Sequence, residues 1–549
     1  MISRRYIIAF CVTLSFCILV WSLGQQVYLS STKEVPLSGG MYTEGVVGQP
    51  KFLNPVFAVS DVDQDITSLV FSGLVKVNDK GEFEPDLAES WKVVEGSKGR
   101  QYDFFLKENI SWHDGQLFTS DDVYFTIALL QNPETQSPLK QNYEGLKVEK
   151  ITTHQVRFTL PSPYAFFLNS MTIGILPYHV LRDLPPGELL AHSFNLTPIG
   201  TGPFQFKKLI TKKKEQLEYS SILLTKNPNY YMNAPYLDSV ALKFYAAHAD
   251  LLNAYQRREI DGISSISALD LPDMKYTSIN LHYIRIPEMK AVFFNLRSDS
   301  PVNDPVVRNV LNMAVNKQGL VDDIFNKIGF PISGPLLNPL TKEQTETGTP
   351  QTAALQAMLE EAGWHQTGED EVRKKNDKPL SFSLVTDDSM ENLKIVNYLQ
   401  ETWKKLGVEA NVQIFYQMSF IQDYVQPRNF EAALLKVNLG SDPDQYPLWH
   451  SSQSDREGSF NFSGYKRTDV DELLEDARRL DDAKLREEKY QLFEKAILHD
   501  NPAIFLYSPY YIYGVDKNFK GIETDTISQP SERFSSVSNW YLNTKRVPK

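Results

Sequence analysis

Hydrophobic and polar positions follow two periods along this chain, and the periods succeed one another. Val240, Leu242 and Phe244 recur every second residue, as in a half-buried strand; Leu251, Leu252 and Tyr255 then mark one helical face, and Ile263 opens the next strand. The same order returns, more sharply punctuated, between residues 380 and 414. Leu380, Phe382 and Leu384 alternate, Ser389 stands where an N-cap is needed, and Leu393, Val396, Leu399, Trp403 and Leu406 hold helical spacing. Gly407 supplies a left-handed helix end, after which Val408, Ala410, Val412 and Ile414 alternate again. A strand–helix–strand crossover requires parallel strands covered by the helix, so two such units far apart predict two α/β lobes. Core helices are also predicted around Leu355–Ala362 (closed by Gly363), around Val470–Leu480 (opened by Thr468) and over Lys484–His499. From about Asp65 to Pro198 the spacing is irregular and turn signals are frequent, as in an inserted subdomain.

One segment joins both periods within a short span. Phe104 and Leu106 alternate with Phe105 and Lys107 as a strand; Asp114-Gly115 offers a turn; and Thr119 or Ser120 can cap a helix with Val123, Ile127 and Leu130 on its apolar face, stopped by Pro133. Asp121 and Asp122 fall in the first turn of that helix, where carboxylates favour the dipole, so the pair is read as structural.

The chain opens differently. Tyr6–Gly24 is apolar except for Thr13, Ser15 and Ser22 and follows Arg4-Arg5, the pattern of an export signal whose positive end stays in the cytoplasm. The run is long enough to span a bilayer and so favours an uncleaved anchor; Ser22-Leu23-Gly24 offers a cleavage site, and Leu14 to Cys17 a lipidation site in which bulky Phe16 is out of place. Each alternative puts the folded part outside the cytoplasmic membrane. A polar, extended tether is expected over residues 25–39. The two cysteines of the chain, Cys11 and Cys17, both lie in the apolar run, so the folded part has neither a disulfide nor a thiolate metal site.

Charge and missing motifs narrow the function. A net charge of −12 argues against nonspecific nucleic-acid binding. The basic runs Lys212–Lys214 and Arg373–Lys375 stand among turn-forming residues and read as solvated loops. GxSxG, HExxH and GxxxxGK are absent, and Gln205 replaces the third glycine that a dinucleotide fingerprint would need after Gly200-Thr201-Gly202, which therefore reads as a turn. The nine histidines are scattered, and His450 alone is near the expected cleft, as a hydrogen-bonding residue. No cofactor, metal or catalytic group is expected.

The segment from Phe104 through Trp112-His113-Asp114-Gly115 to Thr126 resembles the signature of the family-5 extracellular solute-binding proteins, the peptide- and nickel-type receptors of ABC importers. Leu87 to Trp91, Pro198 to Phe204, Asn227 to Tyr231, Asp304 to Arg308, Leu359 to Trp364, Trp403 to Glu409 and Asn461 to Tyr465 resemble further landmarks of that family, in its order. The resemblance implies an α/β, two-lobed periplasmic-binding-protein-like fold with a hinge and an inserted subdomain in the first lobe. Expected limits are 1–24 for the signal or anchor, 25–39 for the tether, 40–289 for lobe I with its insert at 65–197, 290–503 for lobe II, and 504–549 for the return to lobe I. Crossings between lobes are expected near Pro287–Phe294 and Asn501–Tyr507.

It also implies a monomeric receptor that takes an oligopeptide between the lobes and delivers it to permease subunits. Peptide-binding relatives hold the ligand's amino group with an aspartate three residues before the acidic residue of an Asp/Glu-Pro pair; that pair is Asp442-Pro443 here, and Leu439 occupies the matching position. The expected ligand wall is Asn438, Leu439, Gly440, Ser441, Asp442 and Asp444, with the amino group near Asp442, Asp444 or water and the peptide main chain held by strand addition. Without the carboxylate, a non-peptide solute such as a metal chelate or sugar stays open as cargo, as does a membrane-tethered, chaperone-like role.

Overall fold

The computed structural model describes the chain from residue 4 onward, apart from residues 79–80, 97–98, 163, 214–217, 275–277, 338–350, 369–370, 441–443, 457 and 481. Two large mixed sheets organise it. The first has seven strands in the spatial order Ile279–Arg285, Tyr510–Asp516, Gly262–Ile263, Met41–Val47, Ser239–Tyr245, Glu218–Lys226 and Phe204–Lys213. The second has six, in the order Phe330–Pro331, Ala503–Ser508, Glu288–Phe294, Ala432–Asn438, Ser381–Asp387 and Glu409–Phe415.

The chain passes between the sheets twice, and both passages are short. Ile279–Arg285 of the first sheet leads through Ile286 and Pro287 into Glu288–Phe294 of the second, and Ala503–Ser508 leads back through Pro509 into Tyr510–Asp516. Because Ala503–Ser508 pairs antiparallel with Glu288–Phe294, re-entry into the first lobe falls at Pro509 rather than at residue 504. Two proline-bearing connections with no other covalent link between the sheets are the geometry of a hinge.

Both strand–helix–strand units form, with one difference. Ser381–Asp387 and Glu409–Phe415 are parallel neighbours joined by the helix Met390–Lys404, capped by the Ser389 side chain and followed by Gly407 at φ 74°. In the first lobe, Ser239–Tyr245 and Gly262–Ile263 flank Met41–Val47, each parallel to it. A strand from the start of the chain has entered the crossover, a long-range pairing that local periodicity does not encode.

The second sheet is buried on both faces. Along Glu288–Phe294, Val292 and Phe294 join a core with Leu384, Trp403 and Ile504, whereas Met289, Ala291 and Phe293 join another with Ala433, Trp449 and Phe505. The first lobe and its insert share one large core of their own. The insert is a four-stranded antiparallel sheet, Ala88–Gly96, Gly99–Leu106, Gln155–Thr159 and Lys147–Thr152, packed against the helix Ser120–Gln131. Thr119 and Asp122 cap that helix reciprocally, and Asp121 pairs with Lys150 at 2.5 Å, which accounts for the acidic pair.

His113 connects two of the sequence landmarks. Its backbone N–H donates to Gly200 O (2.9 Å), its Nδ1 accepts from Gly200 N–H (3.2 Å), and its Nε2 donates to Gly202 O (3.0 Å), which defines the neutral Nε2–H tautomer. The glycines let this loop lie on the end of the helix Asp61–Val70, since a Cβ on Gly200 would stand 1.9 Å from Val70 O. Burial pushes the His113 imidazole down to about 4, partly offset by Gly202 O and Asp114. The unfolded chain therefore takes up a proton first, and stability falls as pH drops from the usual histidine value toward 4, by up to about 3 kcal/mol. His113→Asn is expected to flatten this acid-side loss, as read by urea denaturation of both proteins at pH 7 and pH 4.5; parallel losses would show that His113 is not its source.

Three expectations change at the edges of the fold. Residues 25–39 are not an extended tether: a helix runs over Arg4–Ser31, and Thr32–Leu37 pairs antiparallel with Asn543–Pro548, so the two ends of the chain support each other. Arg373 is not solvated but buried, donating to Leu406 O (2.7 Å) and Trp364 O (2.9 Å) and pairing with Glu360, because these carbonyls in the turns that follow two helices need donors. His450 keeps its hydrogen-bonding role, bonded to Ser452 at 2.8 Å and stacked on Tyr446, but it is buried in lobe II, and His248 is the histidine that faces the space between the sheets. Among the described residues no helix is long and apolar enough to cross a membrane; side chains before residue 13 lie outside that description.

Candidate functional site

A cavity of ≈ 490 Å³ opens between the two sheets, beside both passages. Lobe I lines it with Val46, the first turn of the helix Asp61–Val70, residues 264–268, Tyr511 and Arg533. Lobe II contributes Phe325, Glu391, Gln417, Lys436 and Tyr507, and the passages contribute Ile286, Glu288 and Pro509. Its volume falls in the range of small-molecule sites, which are commonly found between domains.

The lobe I floor is built around a buried ion network. Tyr42, Glu44 and Val46 point to the same face of their strand, so Glu44 is forced into the core and needs a cation. Arg533 provides it, reaching Glu44 Oε1 at 2.6 Å and the two oxygens of Asp65 at 2.6 Å each, while Tyr42 and Tyr513 hydroxyls donate to Glu44 Oε2 at 2.8 and 2.6 Å. Burial pushes Asp65 up to about 6, with Arg533 offsetting part of the rise. Fully engaged on both sides, Arg533 is a support for the wall and has no capacity left for a ligand carboxylate.

The opposite wall is less saturated. Lys436 lies 3.5 Å from Glu288, and its side chain is 56% exposed, within the cavity. Burial alone would lower its ammonium, but Glu288, Asp61 and Glu391 outweigh it and hold Lys436 above the usual lysine value. Glu391 accepts from the Tyr507 hydroxyl. Four carboxylates, Asp61, Asp65, Glu288 and Glu391, thus face two cations, Lys436 and Arg533. With Asp65 and Glu288 paired, the cavity keeps an excess of negative charge at Asp61 and Glu391.

The wall expected from the sequence lies next to this cavity, as the continuation of the strand that carries Lys436. Asn438 Nδ2 donates across the lobes to Ser528 O (3.2 Å), and the Leu439 N–H donates to Pro287 O (2.8 Å) while its side chain packs against the lobe II core. Gly440 turns the chain at φ 69°, its N–H on Asn438 Oδ1 (2.7 Å). Asp444 is held by Arg478 at 2.5 Å, and that guanidinium also stacks on Tyr446 and reaches Tyr164 of the insert. Ser441 and Asp442 lie outside the described residues. None of Asn438, Leu439, Gly440 and Asp444 lines the cavity, and no group of three His, Cys, Asp or Glu among the described residues could hold a metal ion.

Asp61, Glu391, Lys436, Tyr511 and Arg533 were not singled out from the sequence. The one available signal is Glu44, a carboxylate at an apolar position of a strand; its partner Arg533 stands at the far end of the chain. The pattern of the bacterial extracellular solute-binding proteins, family 5 (middle portion), matches residues 82–459. The chain belongs to this family. Its members bind solutes and are not enzymes, and they work outside the cytoplasm.

Among the similar family-5 proteins, the oligopeptide-binding protein AppA of Bacillus subtilis is 28% identical over 523 residues, 92% of each chain. Its structure with a nonapeptide matches with a TM-score of 0.75 over 93% of this chain and 100% of that one. NikZ of Campylobacter jejuni, solved with Ni(L-His), is 26% identical with a TM-score of 0.76 over 91% of this chain and 99% of that one. The two-lobed α/β architecture with its interlobe cleft is therefore the family fold.

Proposed function

We propose that this family-5 protein is the substrate receptor of an ABC importer and that it takes a peptide into the interlobe cavity for delivery to permease subunits. The observation that carries the reading is the cavity itself: ≈ 490 Å³, walled by both lobes and placed at the two passages about which they can close. AppA, named as an oligopeptide-binding protein, supports peptide as the cargo. The volume suits a short peptide better than a long one. In this reading the segment Asn438–Gly440 rims the cleft and carries part of the peptide main chain, and Leu439 leaves the amine to be held elsewhere.

The receptor works as a monomer on the outer face of the cytoplasmic membrane, held by residues 6–24. Leu14, Phe16, Ile18 and Trp21 are exposed on the first helix, as lipid-facing residues would be. The strand pair Thr32–Leu37 with Asn543–Pro548 then fastens this helix to lobe I.

Native mass spectrometry of the detergent-purified protein tests the cargo. A bound mass that is released on denaturation and fragments as a short peptide is expected. A bound metal chelate or sugar would replace the peptide reading with a non-peptide one.

A further inference from the structure

The ligand's positive group has no partner at Leu439, yet the cavity offers one elsewhere. Asp61, in the first turn of its helix, lines the cavity and makes no hydrogen bond or ion pair among the described residues. Two neutral groups of lobe I that line the same cavity are also unused. Tyr511 and Ser264 are each only 8% exposed, both line the cavity, and neither side chain has a hydrogen-bond partner among the described residues. Their hydroxyl oxygens are open to the cavity rather than sealed in the core, and two unpartnered hydroxyls on a cavity wall mark a place where a bound molecule supplies the missing bonds.

Resting on the peptide reading above, we propose that this receptor holds its ligand's ammonium on lobe I, with Asp61 as the counter-charge and the Tyr511 and Ser264 hydroxyls as acceptors. A –NH₃⁺ group has three donors and no acceptor, so one carboxylate and two hydroxyl oxygens satisfy it completely. Burial and the neighbouring carboxylates push the Tyr511 hydroxyl well above its usual pKa, which keeps it a neutral phenol able to accept. Glu391 is the less suitable carboxylate because Tyr507 already donates to it; from lobe II it adds long-range attraction as the lobes close. The excess negative charge of the cavity then selects ligands bearing a free amine, and the family's amine-holding role has moved from one lobe to the other.

The test uses an equimolar mixture of tripeptides, each present with a free and with an acetylated amino terminus, whose retention by the protein is resolved by mass. Wild type is expected to retain the free forms at least tenfold over the acetylated ones. Asp61→Asn is expected to weaken free forms roughly tenfold to a hundredfold and leave acetylated forms unchanged. Tyr511→Phe, which removes only the hydroxyl, is expected to weaken free forms severalfold and keeps the test decisive should Asp61→Asn lower the melting temperature. Asp121→Asn, at the surface of the insert, serves as the unaffected control. Equal retention of both forms by wild type, or undiminished preference in a folded Asp61→Asn and in Tyr511→Phe, would overturn the assignment while leaving peptide binding intact. Retention of no peptide by wild type would overturn both.

Discussion

Arg533→Met is expected to destabilise lobe I by about 3–5 kcal/mol, among the largest effects of any single substitution in this molecule. Methionine has similar length but leaves Glu44 and Asp65 buried without a cation, and Tyr42 and Tyr513 can stabilise only one of the two. The sign of the pH dependence follows. Burial already holds Asp65 at about 6 with Arg533 present, so loss of the guanidinium raises it further. The variant's deficit is complete at neutral pH and above, and it shrinks as acidification protonates the carboxylates, before the unfolded chain takes up its protons. Because the first sheet has its own core, scanning calorimetry should show the first-lobe transition lowered at pH 7.5 and partly recovered at pH 5. An unchanged transition at pH 7.5 would mean that the network carries no net stability.

Trp403→Ala is expected to cost a similar 3–5 kcal/mol, but in the other lobe. Trp403 is fully buried, lies 5.8 Å from Phe382 between ring centroids, and donates from Nε1 to Leu311 O at 3.1 Å. Alanine leaves a cavity and an unsatisfied carbonyl under the helix Met390–Lys404, whose first turn carries Glu391 to the cleft. The second-lobe transition should fall while the first stays in place, and peptide affinity should weaken although Trp403 is not a lining residue. A single transition that shifts as a whole in both variants would show that the lobes unfold as one unit.

The elements that the sequence revealed are those whose information is local. The unit from Leu380 to Ile414 was readable in full, because its alternation, its Ser389 cap and the positive φ of Gly407 all concern neighbouring residues. What stayed hidden depends on pairing over long distances. Met41–Val47 enters between Ser239–Tyr245 and Gly262–Ile263, and Thr32–Leu37, polar enough to look like a tether, is a strand only because Asn543–Pro548 lies beside it. Arg373 looks solvated because its neighbours in sequence are charged, but the fold buries it against the Trp364 and Leu406 carbonyls with Glu360 as its ion-pair partner.

The site divides in the same way. The landmark segments identified the family and its two-lobed fold, whereas the passages fall at Ile286–Pro287 and at Pro509, at the ends of the apolar strands expected to cross. The cavity residues Asp61, Ser264, Glu391, Lys436 and Tyr511 belong to five separate stretches that meet only when both sheets have formed. Transferring the family's amine-holding position along the chain led to Leu439, which packs on lobe II, whereas the free carboxylate stands on lobe I.

Hydrogen–deuterium exchange of the protein with and without the free-amine tripeptide mixture tests the central claim most directly, because it locates the ligand. Binding between the lobes predicts slower exchange in three separated segments, residues 61–66, 264–268 and 389–395, together with the amides that flank Pro287 and Pro509 in the two passages. Slowing confined to one lobe, or to residues far from these segments while the peptide is bound, would contradict it.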